Sequence, residues 1–130
     1  PATGSKVSIF FTFWGLNVIK KKHGPAVKKT LTEKMFAHML PKSSDSLALS
    51  KMNMMGMGSK MIRGIMKKKN IDSLESLIRQ AMDNGVEFIA CQMTMDMMGI
   101  KKEELLDGVT VGGVASYMQK AEEAGVNLFI

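Results

Sequence analysis

Cys91 is the residue of this sequence best placed to do covalent chemistry. It is the single cysteine of the chain and ends the apolar run Val86–Cys91, which predicts a buried strand. Gln92 opens a predicted short helix. Backbone N–H groups and the positive end of the helix dipole would then favour the thiolate, the reactive form of cysteine. The alternative is a structural cysteine buried in an apolar strand, with a raised pKa and no reactivity.

A hydrolase-like pairing of Cys91 with histidine finds no support in the sequence. The two histidines, His23 and His38, lie in a segment without clear periodicity, so no base is placed beside the thiol. A single cysteine is also too few for a multi-cysteine zinc or iron–sulfur site.

Two groups of methionines offer soft sulfur ligands. Thioethers and a thiolate can hold Cu(I), and methionines at 93, 95, 97 and 98 follow Cys91 closely. The alternative is core packing, because Met93, Met97 and Ile100 share a helical face. The other group, at 52, 54, 55 and 57, fits a lid, a partner-binding surface or ordinary core. We predict no metal site and no cofactor.

The strand order locates a binding crevice. In open parallel sheets the crevice lies at the carboxyl ends of the strands. A tryptophan there can wall a pocket or pack in the core, and a glycine pair before a helix can admit a phosphate. The predicted pocket residues at these ends are Trp14, Gly15, Gln92, Thr94, Asp96, Gly112 and Gly113.

Strands alternating with helices predict an α/β fold. The predicted strands are Val7–Phe13, buried on both faces, then Val86–Cys91, Val109–Val111 and Val126–Ile130. The predicted helices cover Leu16–Lys22, Thr32–Leu40, an amphipathic segment 58–69, a segment from the N-cap Asp72 to Asn84, Gln92–Met98 and Val114–Glu123. Helical crossovers imply a doubly wound parallel sheet covered by helices.

Length and composition fit one domain over residues 1–130, with 23–57 its hardest part to assign. The chain has 130 residues, of which 45% are hydrophobic and 23% charged. No apolar stretch is long enough for a spanning helix and no secretory signal is visible, so we expect a cytoplasmic protein with no membrane partner. Because the first predicted strand begins after six residues and Pro1 stands in place of Met, we expect an earlier strand–helix unit before Pro1.

Charge divides the chain into a basic and an acidic half. Residues 1–70 carry 14 Lys and Arg against two acids, and residues 71–130 carry four against ten. This split favours an anionic partner for the first half. Only Arg63 and Arg79 are arginines, the preferred residue for forked phosphate and base contacts, so we expect no nucleic-acid partner. The lysine runs 20–22 and 67–69 are typical of solvated faces.

Two long blocks of this sequence resemble a known family. Residues 7–16 (VSIFFTFWGL) and 88–100 (FIACQMTMDMMGI), together with the ending from Gly112 to Ile130, are similar to the DsrE/DsrF-like sulfur-relay family. The likeness is closest to the subgroup associated with rhodanese and TusA-like domains or with coenzyme A disulfide reductases. Residues 23–57 correspond to a part that varies in such proteins.

The resemblance implies a function that spacing alone does not. The family's cysteine carries a persulfide passed between protein thiols, and its position matches Cys91. It also implies a flavodoxin-like α/β fold, a three-layer parallel sheet with helices on both faces. It further implies homo-oligomers and protein donors and acceptors of sulfur, rhodanese-like or TusA-like. Since this chain has no second cysteine, a resolving thiol would come from another protein. The alternative function is a non-catalytic binding module for coenzyme A or a nucleotide-like ligand, or a protein scaffold, with an inert Cys91.

Overall fold

Three parallel strands form the sheet that positions Cys91. The computed structural model describes residues 3–25, 27–44, 47 and 57–130. Within that part of the chain, the sheet order is β1 (Ser8–Phe11), β2 (Glu87–Cys91) and β3 (Thr110–Gly112). Both pairs are parallel, with Phe11 opposite Ala90 and Cys91 opposite Gly112. This architecture confirms the predicted α/β fold with a parallel sheet.

Helices occupy the connections between these strands. A 3₁₀ helix, Phe13–Ile19, follows β1 directly, earlier than the helix predicted over Leu16–Lys22. The α-helices are α1 (Leu31–Met39), α2 (Met57–Lys68), α3 (Leu74–Asp83), α4 (Gln92–Met98) and α5 (Val114–Glu123), and a 3₁₀ turn covers Lys102–Glu104. Since β1 ends at Phe11, the chain turns two residues before the predicted end of that strand.

The core lies around the central strand β2. Phe88 and Ala90 of this strand are buried together with Leu16, Ile19 and Leu105 from the flanking segments. Full burial of a large apolar side chain stabilises a fold by about 1.5–3 kcal/mol. This cluster therefore anchors the segment after β1 against the strand that ends at Cys91.

Helix α4 faces the core differently from the sequence expectation. Met95 and Met98 are buried, whereas Met93 and Met97 are exposed, so the predicted packing of Met93 and Met97 in the core is wrong. Ile100, which was expected on the same helical face as Met93 and Met97, is buried, but it lies beyond the end of the helix. Because Gly99 ends the helix in the left-handed conformation, Ile100 does not continue the helical spacing on which the prediction depended.

Two strand predictions are corrected at the margins of the sheet. Ile9 is exposed, so β1 is not buried on both faces; within the described residues it lies at an edge of the sheet. The predicted strand Val126–Ile130 does not form, and its apolar side chains are exposed. A strand needs a neighbour for its backbone hydrogen bonds, and no described strand lies beside this segment.

The start of α3 differs by one residue from the prediction. Ser73, not Asp72, is the N-cap, and its side-chain oxygen accepts a hydrogen bond from the Ser76 backbone N–H at 3.2 Å. Asp72 instead accepts hydrogen bonds from the Ser76 hydroxyl and the Gln80 side-chain amide. Both residues still favour the helix N-terminus, because each satisfies donors near the first turn.

Lys20 is buried, although the lysine run 20–22 was expected to be solvated. Its ammonium donates to the Pro41 carbonyl oxygen at 3.3 Å, and its backbone forms an antiparallel bridge to Leu105. Burial, the largest influence, lowers the pKa of Lys20, and the Glu104 carboxylate opposes this by its charge. Lys67–Lys69, by contrast, are exposed as predicted.

Replacing Gly99 with alanine is expected to lower the free energy of unfolding by about 1–3 kcal/mol. Gly99 ends α4 with φ +64°, a conformation that L side chains rarely adopt. An added Cβ would also lie 2.5 Å from the Glu33 Cγ and 2.6 Å from its Cβ. Glu33 is held in place by Lys101 at 3.2 Å and by the Thr30 backbone N–H at 2.7 Å.

Gly85→Ala is the matched control for this measurement by chemical denaturation. Gly85 has φ +79°, but nothing lies within 4 Å of the Cβ that alanine would add. It therefore reports the backbone cost alone, and Gly99→Ala should cost more. Equal losses for the two variants would contradict the close packing between α1 and the end of α4.

Candidate functional site

Cys91 lies where the central strand becomes a helix. It is the last residue of β2 and the N-cap of α4. The residue is 6% exposed, so most of it is covered by neighbouring groups. The chain thus brings its single thiol to the carboxyl edge of the sheet, beside the backbone N–H groups of the first helical turn.

Strand register places Thr12 next to this thiol. Phe11 is paired with Ala90, so the following residue, Thr12, comes opposite Cys91 at the end of β1. The Thr12 hydroxyl lies 2.9 Å from the hydroxyl of Thr94, a buried residue in the first turn of α4. Thr12 and Thr94 therefore link the end of β1 to α4 across the position of Cys91.

The surroundings of Cys91 stabilise its charged form. Burial, the largest single influence, raises the pKa of the Cys91 thiol. Hydrogen bonds from the Thr94 hydroxyl and backbone N–H, the Thr12 hydroxyl and the Met93 backbone N–H oppose it and bring the pKa below its ordinary value. The buried inert cysteine considered from the sequence would have a raised pKa, so this arrangement favours the thiolate instead.

The two threonine hydroxyls can adjust to the charge on sulfur. Each hydroxyl has one proton to donate and can also accept. Beside a thiolate, both protons can point to sulfur; beside a neutral thiol, one hydroxyl can turn and donate to the other across the 2.9 Å separation. The pair therefore has a hydrogen-bonded arrangement for either state of Cys91.

Exposed apolar side chains lie at the same edge of the sheet. Trp14 is 62% exposed and Met93 66% exposed, and Phe13 and Met97 are also exposed. Phe13 has φ +43°, an uncommon conformation for a bulky residue, so the chain turns sharply just after Thr12. We call Phe13, Trp14, Met93 and Met97 the apolar rim. Core packing of Trp14, one of its two predicted roles, is wrong.

Of the predicted pocket residues, Thr94 lies beside the Cys91 thiol and helps to lower its pKa, and Gly112 is the strand-pairing partner of Cys91. Gly15 lies in the 3₁₀ helix, where its backbone N–H donates to the Thr12 carbonyl oxygen at 2.9 Å. Gln92 and Asp96 bond to each other at 2.9 Å on the exposed side of α4. Gly113 is the N-cap of α5, in an extended conformation.

A cavity of about 350 Å³ lies on another part of the sheet. It is formed between β2, β3 and α5 and includes Gly112 but not Cys91; its lining residues are Glu87, Ile89, Thr110, Val111, Gly112, Ser116, Gln119, Lys120 and Glu123. Its charged members include the ion pair of Lys120 with Glu87. The thiol therefore does not open into this cavity.

The described part of the chain contains neither a metal-binding cluster nor a membrane-spanning helix. Among those residues, no three His, Cys, Asp or Glu side chains are grouped so that they could hold a metal ion. None of the helices described there combines the length and apolar character needed to cross a bilayer. The methionines at 52, 54 and 55 lie outside the described residues, so their predicted roles remain predictions.

Thr12 is the site residue that sequence reasoning missed. It stands as the single polar residue in the run IFFTFW, at positions 9–14. A hydroxyl at the end of an otherwise apolar buried strand needs a partner, since burying it alone costs free energy. That requirement, together with the rule that parallel strands end at one edge, could have placed it beside Cys91.

Known proteins are similar to this chain over nearly its whole length. A sequence model of the DsrE/DsrF/DrsH-like family matches residues 1–129. The uncharacterized protein YrkE of Bacillus subtilis is 50% identical over 125 residues, which are 96% of this chain and 78% of that protein. A protein of Allochromatium vinosum named sulfur carrier protein DsrE2 is 36% identical over 130 residues, 99% of this chain and 82% of that protein.

Proposed function

Because this chain belongs to the DsrE/DsrF/DrsH-like family, we propose that it is a sulfur carrier that holds sulfane sulfur as a persulfide on Cys91 and passes it to another protein thiol. The observation that carries the proposal is the position of the Cys91 thiol at the end of β2 and the start of α4, next to the paired Thr12 and Thr94 hydroxyls, where hydrogen-bond donors lower its pKa. A relative named as a sulfur carrier is 36% identical over the chain, which supports the same class of function.

The loading step needs a nucleophilic sulfur at Cys91. The Cys91 thiolate attacks the outer sulfur of a donor persulfide, a new sulfur–sulfur bond forms at Cys91, and the donor's own sulfur–sulfur bond breaks. The donor leaves as a thiolate, and the outer sulfur with its proton stays on Cys91. No net oxidation occurs, because the sulfane sulfur only changes the thiol to which it is bound.

The hydrogen bonds that stabilise the Cys91 thiolate also favour the delivery step, in which Cys91 is the leaving group. An acceptor thiolate attacks the outer sulfur of the Cys91 persulfide, and Cys91 leaves as a thiolate. A leaving thiol with a lower pKa departs faster. Thr94, Thr12 and the Met93 backbone N–H, which stabilise the Cys91 thiolate, therefore assist delivery as well as loading.

The apolar rim supports protein partners rather than small polar thiols. Its exposed tryptophan and methionines are residue types enriched in protein interfaces. A rhodanese-like donor and a TusA-like acceptor are the partners we propose, as the resemblance implies. A lysine-rich first half would steer an acidic partner toward the chain.

The function is tested by loading and unloading the chain. The protein is incubated with inorganic polysulfide, freed of excess donor, and its intact mass is measured before and after addition of a thiol. We expect a gain of one sulfur atom that the thiol removes. If no sulfur is gained at any pH from mild acid to alkaline, the carrier function is wrong.

The low exposure of Cys91 favours the second candidate function, a binding module or scaffold with an inert cysteine. The labelling rate of the thiol by an alkylating reagent separates the two functions. A carrier thiol is labelled in the native protein at a rate that rises with pH as the thiol ionises. An inert thiol reacts slowly in the native protein and quickly only in denaturant.

Trp14→Ala is expected to slow delivery to a protein acceptor about tenfold, the effect of losing a central aromatic contact in an interface. Because Trp14 is exposed, the unfolding free energy should change by less than about 0.5 kcal/mol. The measurement compares delivery from the loaded chain to a TusA-like protein and to glutathione. Delivery to glutathione should stay unchanged, and equal slowing with both acceptors would argue against a docking role for the rim.

A further inference from the structure

Helix α2 combines two faces that need different surroundings. Met57, Met61 and Ile65 follow one another at four-residue spacing along one side, and all three are exposed. Lys60, Arg63 and Lys67 occupy the opposite side, with Lys68 at the helix end. From 57 to 69 the sequence contains five basic residues and no acidic one.

None of the other described helices combines exposed apolar residues with basic side chains alone. Helix α3 exposes Leu74 and Leu77 beside Glu75, Arg79 and Asp83, and α5 exposes Val114 and Met118 beside Lys120, Glu122 and Glu123. Within the described residues, an exposed apolar stripe beside purely basic side chains is therefore a property of α2.

A helix of this kind needs a cover for its apolar side. No residue of α2 is buried, although most of the stability of a protein helix comes from packing of its apolar face. Two glycines, Gly58 and Gly64, lower its intrinsic helix propensity further. The conformation of this segment thus calls for contact with an apolar environment bordered by negative charge.

We propose that α2 binds the surface of an anionic lipid bilayer, with its methionine and isoleucine side chains in the headgroup region and its lysines toward the lipid phosphates. An interfacial helix has this composition: a strong apolar stripe, a Lys/Arg-rich polar face and low overall hydrophobicity. Lysine suits the place, because its long stem lies along apolar surface while its ammonium stays in water. The expectation of no membrane partner depended on the lack of a spanning segment, which a helix lying in the interface does not need.

Charge argues against a second copy as the occupant. Pairing of α2 with its own copy would bring together two helices that both carry positive charge only, and like charges repel. An acidic protein with an apolar groove has the right sign of charge but must supply a matching groove. The bilayer surface supplies the negative charge and the apolar layer together.

Vesicle binding by the full chain tests this inference. In a flotation assay, we expect the protein to bind vesicles of phosphatidylcholine and phosphatidylglycerol but not vesicles of phosphatidylcholine alone. Binding should weaken as the salt concentration rises. The variant Lys60→Gln/Lys67→Gln/Lys68→Gln should lose about fivefold in affinity for each lysine removed. Met61→Gln/Ile65→Gln should also weaken binding.

Matched variants keep the net charge change equal. Lys28, Lys42 and Lys102 are exposed lysines outside α2, so Lys28→Gln/Lys42→Gln/Lys102→Gln is the control for the basic face. Val114→Gln/Met118→Gln on α5 is the control for the apolar face, because these two exposed side chains have the same four-residue spacing. Cys91→Ser should bind vesicles as the wild-type chain does, so this result stands apart from the outcome for sulfur transfer.

Three results would overturn the proposal. One is a failure of the wild-type protein to bind anionic vesicles at low salt, even if it binds an acidic polypeptide such as polyglutamate through the same lysines. Another is an equal loss of binding in the control lysine variant, which would assign the effect to net charge. The third is vesicle-independent self-association that the Met61→Gln/Ile65→Gln variant abolishes.

Discussion

Replacing Cys91 with serine is expected to abolish sulfur uptake completely while leaving the fold intact. Serine keeps the size of the side chain and can hydrogen-bond to Thr12 and Thr94, so the unfolding free energy should change by no more than about 1 kcal/mol. Its hydroxyl does not ionise near neutral pH and forms no persulfide. The intact mass after incubation with polysulfide should therefore equal that of the untreated variant.

The single cysteine makes this experiment easy to interpret, with one exception. Any persulfide on the wild-type chain must be on Cys91, because no other thiol is present. However, two oxygen atoms weigh nearly as much as one sulfur atom, and the chain has 14 methionines, of which Met93 and Met97 are exposed beside the site. Oxidised methionine would therefore imitate a loaded cysteine.

Two controls separate sulfur transfer from methionine oxidation. A simple thiol removes the outer sulfur of a persulfide but does not readily reduce methionine sulfoxide, so only the first adduct disappears on treatment. Met93→Leu/Met97→Leu should still take up sulfur, because the carrier atom is elsewhere. A sulfur adduct that persists in Cys91→Ser and is removed by thiol would refute Cys91 as the carrier.

The sequence could predict the elements that bring Cys91 to the edge of the sheet. An apolar run ending in Cys91 and followed by a helical segment predicts the strand-to-helix transition, and the structure has it at that residue. What the sequence could not supply is register. The hydroxyl of Thr12 acts on Cys91 only because Phe11 pairs with Ala90, and such pairing is a long-range property of the fold.

The misassigned methionines show a second limit. On a seven-residue helix, helical spacing alone does not decide which side is buried, since apolar residues occur on more than one face. Met95 and Met98 pack against the core and leave Met93 and Met97 at the surface beside the thiol. The packing of α4 against its neighbours decided the outcome, and that cannot be read from the periodicity of one short segment.

Removing both site hydroxyls is expected to raise the pKa of the Cys91 thiol. In Thr12→Val/Thr94→Val, the burial that raises the pKa remains, while two of the hydrogen bonds that lower it are lost. The double change also avoids leaving one hydroxyl without a partner, because Thr12 and Thr94 bond to each other. The measurement is the titration of the thiolate by its ultraviolet absorbance.

The rate of sulfur uptake should change with pH in a way that simple damage to the fold would not. At neutral pH the variant has less thiolate and reacts more slowly, by about threefold for each unit of pKa increase, since a thiolate of higher pKa is also more nucleophilic. At alkaline pH, where both thiols are ionised, the same nucleophilicity makes the variant the faster of the two. The two pH–rate curves should therefore cross.

Thr110→Val is the control that fixes the meaning of this crossing. Thr110 lies on β3, and its hydroxyl donates to the Phe88 carbonyl oxygen at 3.2 Å rather than to Cys91. Its pH–rate curve should coincide with that of the wild-type chain. If the double variant instead titrates like wild type, or reacts more slowly at every pH, the Thr12 and Thr94 hydroxyls do not stabilise the thiolate. The thiol would then depend on the backbone N–H groups of Met93 and Thr94 alone.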